Sequence, residues 1–374
     1  MTREDQRAVA PPAPPALAAA DAPPVVADAP PSPAPAAEAA TPAHGASPVR
    51  RRPALVITVL ALLLVAACAA SLALGRYAIS LESLLALDET TTNVLFFMRL
   101  PRIAAAALIG AALAGAGCAY QGIFRNPMVS PDLLGASAGA GFGAAAGILF
   151  SLGSAGVELC AFVMGLLAVG ISYFLSVSIG RSMRGVLVLV LSGMVIGNLF
   201  QAFTSAVKFV ADPNSQLPEI TFWLMGGLSA VRDSDLAWLL AALLLGGVGL
   251  FVLRWRINVM ANGEEEARAL GVEVKRVRLA VVACATLLTS ASVAVAGMVG
   301  WVGLIVPHLA RFLVGADQRV LLPASMLLGS TFLLVVDGLC RSVYTTEIPL
   351  SILTSIIGAP LFIYLIARSR KGGQ

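Results

Sequence analysis

Few residues in this 374-residue chain could do covalent chemistry. There are three lysines, Lys208, Lys275 and Lys371, and none stands in a GxxxxGK(S/T) context. Without that lysine and its glycine-rich turn, nothing cradles the β- and γ-phosphates of a nucleotide, so ATP hydrolysis by this chain is excluded. Of the two histidines, His44 lies in an Ala/Pro-rich tail, which leaves only His308 for a histidine-based metal site. HExxH and GxSxG patterns are absent. The sequence therefore predicts no catalytic residue, no metal ligand set and no cofactor bound by this chain. The five cysteines stand singly in apolar segments and read as small buried residues.

What remains is the chemistry of charge and hydrogen bonding, at three places. The first is Arg254 to Arg278, where ten of 25 residues are charged, in a chain only 12% charged overall. A central Arg, Lys or Asp costs about 2.5–3.5 kcal/mol on insertion into a bilayer, so this stretch lies in water between two apolar blocks. Its spacing predicts a short helix. Asn262 is a suitable N-cap and Glu265 a partner for a capping box; Glu264, Glu265 and Glu266 sit at the positive end of the dipole. Ala267, Leu270 and Val274 share a face, and Gly271 is a natural stop. Two turns are too short to persist alone in water, so the helix must pack on its own domain or on a soluble partner.

The second place is a stripe of Met194, Asn198, Gln201 and Ser205 at spacings of 4, 3 and 4. It fits two uses, interhelical hydrogen bonding and the lining of a polar pathway. The third is Asp337, four residues before Arg341 and so one helical turn away, which predicts a local ion pair. Glu158, at a helix end, is expected to be solvated. These carboxylates are a thin supply for the buried relays that proton-driven pumps use.

The elements that must carry these groups are membrane helices. Hydrophobic residues make up 58% of the chain, and the mean hydropathy is +0.87. The runs are long and lack the alternation of a β-barrel. Ten spans are predicted, at about 54–74, 100–121, 133–150, 157–180, 186–208, 236–254, 279–297, 302–314, 321–340 and 349–367. The eighth is short and carries Pro307, which predicts a broken or tilted segment. Residues 1–54 hold 13 of the 22 prolines and 18 alanines, the composition of a disordered tail rather than a core. Arg50, Arg51 and Arg52 precede the first span and put both termini in the cytoplasm. On that topology 17 basic residues fall inside and six outside. Because the basic residues sit at helix ends, no nucleic-acid partner is expected; the partner of this surface is membrane lipid.

Two finer patterns sit inside the spans. LAGAG at 113–117, Pro127 and Gly135 are echoed by VAVAG at 293–297, Pro307 and Gly315 at an offset of 180, which suggests an inverted repeat of five spans each. Gly135, Gly139, Gly143 and Gly147 stand at four-residue spacing, a ladder that lets two helix backbones approach closely.

RLPRIAAAALIGAALAGAGCAYQGIFRNPMVSPDLLGASAGAGFGAA at 99–145 resembles the first signature of the FecCD-type permeases of ABC importers for iron complexes, haem and vitamin B12. GEEEARALGV at 263–272, the segment 297–325 and EIPLSILTSIIGAPLFIYLI at 347–366 resemble later blocks in the same order. The resemblance covers about 55–370 and implies an all-α, multi-pass permease domain in the bacterial inner membrane. It implies a homodimer with two separate ATP-binding cassette subunits, which hold ATP and Mg, and a soluble substrate-binding protein. Gly263, Glu264, Glu265, Glu266, Ala267, Arg268, Leu270 and Gly271 would carry the coupling role, and Arg99, Arg102 and Arg341 would dock the binding protein. Ser351 stands where the family often has glycine, so altered packing is expected there. The segment 212–229, with Trp223 and Met225, would hold a short gating helix. The implied cargo is an iron complex, a ferric siderophore first, with haem or a corrinoid as alternatives. An ion-coupled secondary transporter is the rival of another class.

Overall fold

The computed structural model describes residues 53–73, 89–179, 185–344 and 346–371. The Ala/Pro-rich tail, apart from its last two residues, and Arg50–Arg52 lie outside the described residues. All regular structure among them is helical: α1 Pro53–Ala73, α2 Glu89–Phe124, α3 Ala136–Leu149, α4 Gly153–Ile179, α5 Gly185–Val210, α6 Gln216–Met225, α7 Asp233–Asn262, α8 Glu264–Ala269, α9 Val274–Ala296, α10 Val302–Val314, α11 Gln318–Ser342 and α12 Leu350–Lys371. Seven of these are long and apolar enough to cross a membrane; α3, α10 and α12 are shorter apolar helices. Together they account for the ten predicted spans. The two amphiphilic extras are α6 and α8.

The largest boundary difference is at α2, which starts 11 residues before the predicted Leu100. Its first turns are polar, ETTTN, and pass through a π-helical turn at Val94–Arg99. Pro101 brings no N–H to the preceding turn, and a wider turn is one way a helix runs on past such a gap. α10 spans Val302–Val314, as expected, with Pro307 inside it. Thirteen residues rise about 20 Å, short of a bilayer's roughly 30 Å hydrocarbon core.

α2 is the central helix, and α9, α10 and α11 all pack on it. Glycine makes these approaches possible. A Cβ on Gly117 would lie 1.8 Å from the Gly303 carbonyl oxygen, and one on Gly110 would lie 2.3 Å from that of Gly329. Pro307 has no N–H to offer the Gly303 carbonyl, and that same carbonyl faces Gly117.

The ladder in α3 packs on α4. A Cβ on Gly139 would come 2.4 Å from the Met164 oxygen, and one on Gly143 2.2 Å from the Cys160 oxygen. Gly143→Ala should therefore force the two helices apart and destabilise the bundle by about 1–3 kcal/mol. A thermal scan of the detergent-purified protein measures this, and an unchanged midpoint refutes the close-packing account. Gly135 is not part of this seam: it closes a 3₁₀ turn, Pro131–Leu134, in the left-handed region at φ +88°.

The echo at offset 180 holds only in part: 113–116 and 293–296 both lie in helix, but the later matched residues differ. Pro127 lies in the turn after α2, whereas Pro307 is inside α10. Gly135 and Gly315 share a positive φ but differ in ψ, 9° against −168°.

Candidate functional site

The bundle has two chemically distinct ends. At the loop end, the C-termini of α2, α7 and α10 meet the start of α11. Arg311 donates to Gln121 at 3.2 Å, Gln121 donates to the Leu304 carbonyl at 3.0 Å, and the Asn258 carboxamide accepts from the Gln318 N–H at 2.9 Å. The charged stretch sits here. Asn262 is the last residue of α7 and does not cap α8. Gly263 makes the junction, and no side-chain capping bond forms, so the predicted box with Glu265 is absent. The reason is that α7 continues through Asn262, which moves Glu266 to the third helical position. Its carboxylate folds back over Gly263 where a Cβ would stand.

Ala267, Val272 and Val274 are buried in the main core with Ile257 and Met260, and Glu264 bridges Arg268 (3.2 Å) and Arg278. Leu270 departs from the predicted shared face: it is 64% exposed. Gly271, in the left-handed region at φ +78°, turns the chain toward α9 and leaves Leu270 pointing outward. α8 is thus anchored from below and presents Glu265, Arg268 and Leu270 on its free side.

Arg99, Arg102 and Arg341, the residues expected to dock a binding protein, lie at the far end. All three turn into the chain. Arg102 pairs with Asp337 at 2.8 Å and Glu347 at 2.9 Å, and Arg341 pairs with Asp337 at 3.1 Å and donates to Ser71 Oγ at 2.6 Å. Arg99 donates to the Leu72 carbonyl. The Asp337 side chain is fully buried. Helix packing of α1, α2 and α11 explains these pairings: the arginines fall on their inner faces, where a charge must find an internal partner. The Asp337–Arg341 pair stands as predicted. Glu158 is not simply solvated; it pairs with Arg232 at 2.6 Å.

Between these ends runs a groove of about 750 Å³. One wall is a single face of α5, from Gly193 to Lys208, a rise of about 22 Å that includes Met194, Asn198, Gln201 and Ser205. Ser205 donates to the Gln201 carbonyl of its own helix at 3.0 Å. Among the described residues none of the four makes an interhelical hydrogen bond, so of the two uses the stripe allowed, the structure places it against open space. The 3₁₀ turn contributes Ser130 and Asp132, α3 contributes Ser137, and α12 contributes Ser351 and Ser355. Ser137 donates to the Asp132 carboxylate. Ser351 lies on the groove wall, and its carbonyl accepts from Thr354 at 3.2 Å.

Sequence reasoning missed Asp132 and Lys208 in this lining. For Lys208 the signal was present: 198, 201, 205 and 208 continue the same helical period. For Asp132 it was not, because only the fold brings the 3₁₀ turn to α5. The segment 212–229 forms α6, and Trp223 lines a separate far-end cavity of about 920 Å³ with Glu158, Glu219 and Glu347.

A bundle of apolar helices with a polar groove along one of them, and a charged helix held at one end, defines a multi-pass membrane permease. The chain belongs to the FecCD transport family, whose sequence pattern matches residues 62–368. It is 39% identical to the molybdate import system permease protein MolB of Haemophilus influenzae, over 84% of this chain and 96% of that one. It is 35% identical to the hemin transport system permease protein HmuU of Yersinia pestis, over 86% and 98%. The cobalamin import system permease protein BtuC of Halobacterium salinarum is 40% identical over 74% of each chain. Among solved structures, a metal-chelate-type ABC transporter in an inward-facing conformation superposes with a TM-score of 0.78 at 39% identity, covering 84% of this chain and 99% of that one.

Proposed function

We propose that this chain is the membrane-spanning subunit of a binding-protein-dependent ABC importer in a bacterial cytoplasmic membrane, moving a metal already wrapped in ligands, with a ferric chelate as the leading cargo. Two copies would form the pathway between their grooves, both termini facing the cytoplasm. Two separate cassette subunits would hydrolyse ATP beneath α8, and a soluble binding protein would deliver substrate at the far end. The groove lining carries the reading. Its polar part is built of hydroxyls and carboxamides with one carboxylate, Asp132, and one ammonium, Lys208, set among glycines and the apolar Leu133, Met194, Leu224 and Met298, and among the described residues it has no His or Cys. Such a wall offers a bare transition-metal cation little coordination, but it suits a polar complex that keeps its own ligands. Among the described residues the lining also has no aromatic side chain, which favours a chelate over a flat macrocycle such as haem or a corrinoid. The kinship with a molybdate permease keeps a metal oxyanion as the second reading.

The test is uptake by cells carrying the complete transport system. ⁵⁵Fe supplied as a ferric chelate should enter in an ATP-dependent manner that survives an uncoupler while ATP is maintained. Molybdate uptake in place of iron selects the second reading, and uptake that needs no cassette subunit but collapses with the uncoupler overturns the importer.

A further inference from the structure

We infer that the groove selects anionic cargo, with Lys208 as the residue that recognises its negative charge; this rests on the reading of the groove as a transport pathway. Among the described residues Lys208 is the only cation in the lining, and it stands at the far-end limit of the α5 face. Among the described residues no carboxylate pairs with it. The nearest carboxylate in sequence, Asp212, is committed to its own turn: it accepts from Ser215 Oγ at 2.9 Å and from the N–H groups of Ser215 and Asn214 at 2.8 and 2.9 Å. Those bonds hold the Asp212 carboxyl below its ordinary range, the Ser215 hydroxyl contributing most.

The other charge among the described lining residues, Asp132, lies with the 3₁₀ turn beside Gly193 and Gly197, at the opposite limit of the α5 face. The groove therefore has one positive and one negative limit, separated by an uncharged wall of polar and apolar residues. A cleft with a single sign of charge at its entrance concentrates ligands of the opposite sign and speeds their entry. Cations placed around a pore select anions in the same way. An anion would be drawn in at Lys208, pass hydroxyls and carboxamides that bind it weakly, and meet repulsion near Asp132 that favours release. A neutral complex would gain nothing from either charge. The bland alternative is that Lys208 merely snorkels to the interface, which predicts no dependence on cargo charge.

Two measurements decide it. In the full-length protein in lipid nanodiscs, amine acylation of each lysine is followed by mass spectrometry, with only Lys275 and Lys371 as internal controls. Molybdate or a trianionic ferric tricatecholate should slow acylation of Lys208 alone, and a neutral ferric trihydroxamate should not. Equal acylation with and without both anions overturns the proposal. In the complete transporter, Lys208→Glu should reduce uptake of whichever anionic probe the wild type carries by about tenfold, and Lys208→Arg should restore it. Wild-type rates in Lys208→Glu, or transport confined to the neutral chelate, overturn the proposal and leave the importer intact. Protection of Lys208 without any ATP-driven uptake sinks the importer reading and leaves the anion site standing.

Discussion

Asp337→Asn is expected to destabilise the folded bundle by about 3–5 kcal/mol, the range seen when one partner of a buried ion pair is removed. The reason lies in the stoichiometry of the far-end cluster. Two guanidiniums, Arg102 and Arg341, share the buried Asp337 carboxylate, and only Arg102 has a second carboxylate, Glu347. An asparagine keeps the shape and removes the charge, so Arg341 is left with Ser71 as its polar partner. The cluster also ties α1 and the segment before α12 to the α2–α11 pair, so the loss should be felt across that end. The measurement is the thermal midpoint of the purified protein, read as the monodisperse fraction after heating. A double variant, Asp337→Leu with Arg102→Met, should recover part of the loss, because apolar replacement of both partners avoids stranding a charge. A midpoint unmoved by Asp337→Asn would mean that water reaches these groups and that the burial account is wrong.

The second large effect concerns coupling. Leu270→Asp should abolish most substrate-stimulated ATP hydrolysis in the assembled transporter while leaving the isolated permease as stable as wild type. Losing a central apolar contact at an interface removes about 2 kcal/mol or more, and 1.4 kcal/mol is a factor of ten, so a loss of more than tenfold in productive cassette binding is expected. Stability should hold because Leu270 is exposed and makes no part of the core. Ala267→Asp is the contrast. Ala267 is wholly buried, so the same charge there should unfold the loop and lower the thermal midpoint. If both variants couple normally, α8 is not the contact. Coupling lost only together with stability would mean that the helix serves the fold alone.

The two variants also show where local pattern ends. Ala267, Leu270 and Val274 fall within one helical stripe on paper, but the chain is not one continuous helix across them. Gly271 breaks it at φ +78°, and Val274 belongs to α9. A stripe counted through a break assigns the wrong face, and here it grouped the exposed Leu270 with the buried Ala267 and Val274. The same limit applied to the arginines. The family resemblance implies that Arg99, Arg102 and Arg341 face outward. Their direction depends on the rotation of α2 and α11 about their axes, which is set by packing partners hundreds of residues away.

What the sequence alone determined is whatever one helix can encode: ten apolar segments, the charged interruption at 254–278, the glycine seam of α3 and the absence of a nucleotide loop. These follow from bilayer thickness, helical period and the high energy of charge in lipid, all of them local. What only the tertiary structure decided is which faces meet. It brought Asp132 and Lys208 to the two limits of one groove, closed Arg102 onto Asp337, and turned Leu270 outward. Each depends on helix rotation and on close glycine contacts such as Gly117 with Gly303, and no window along the chain contains both partners.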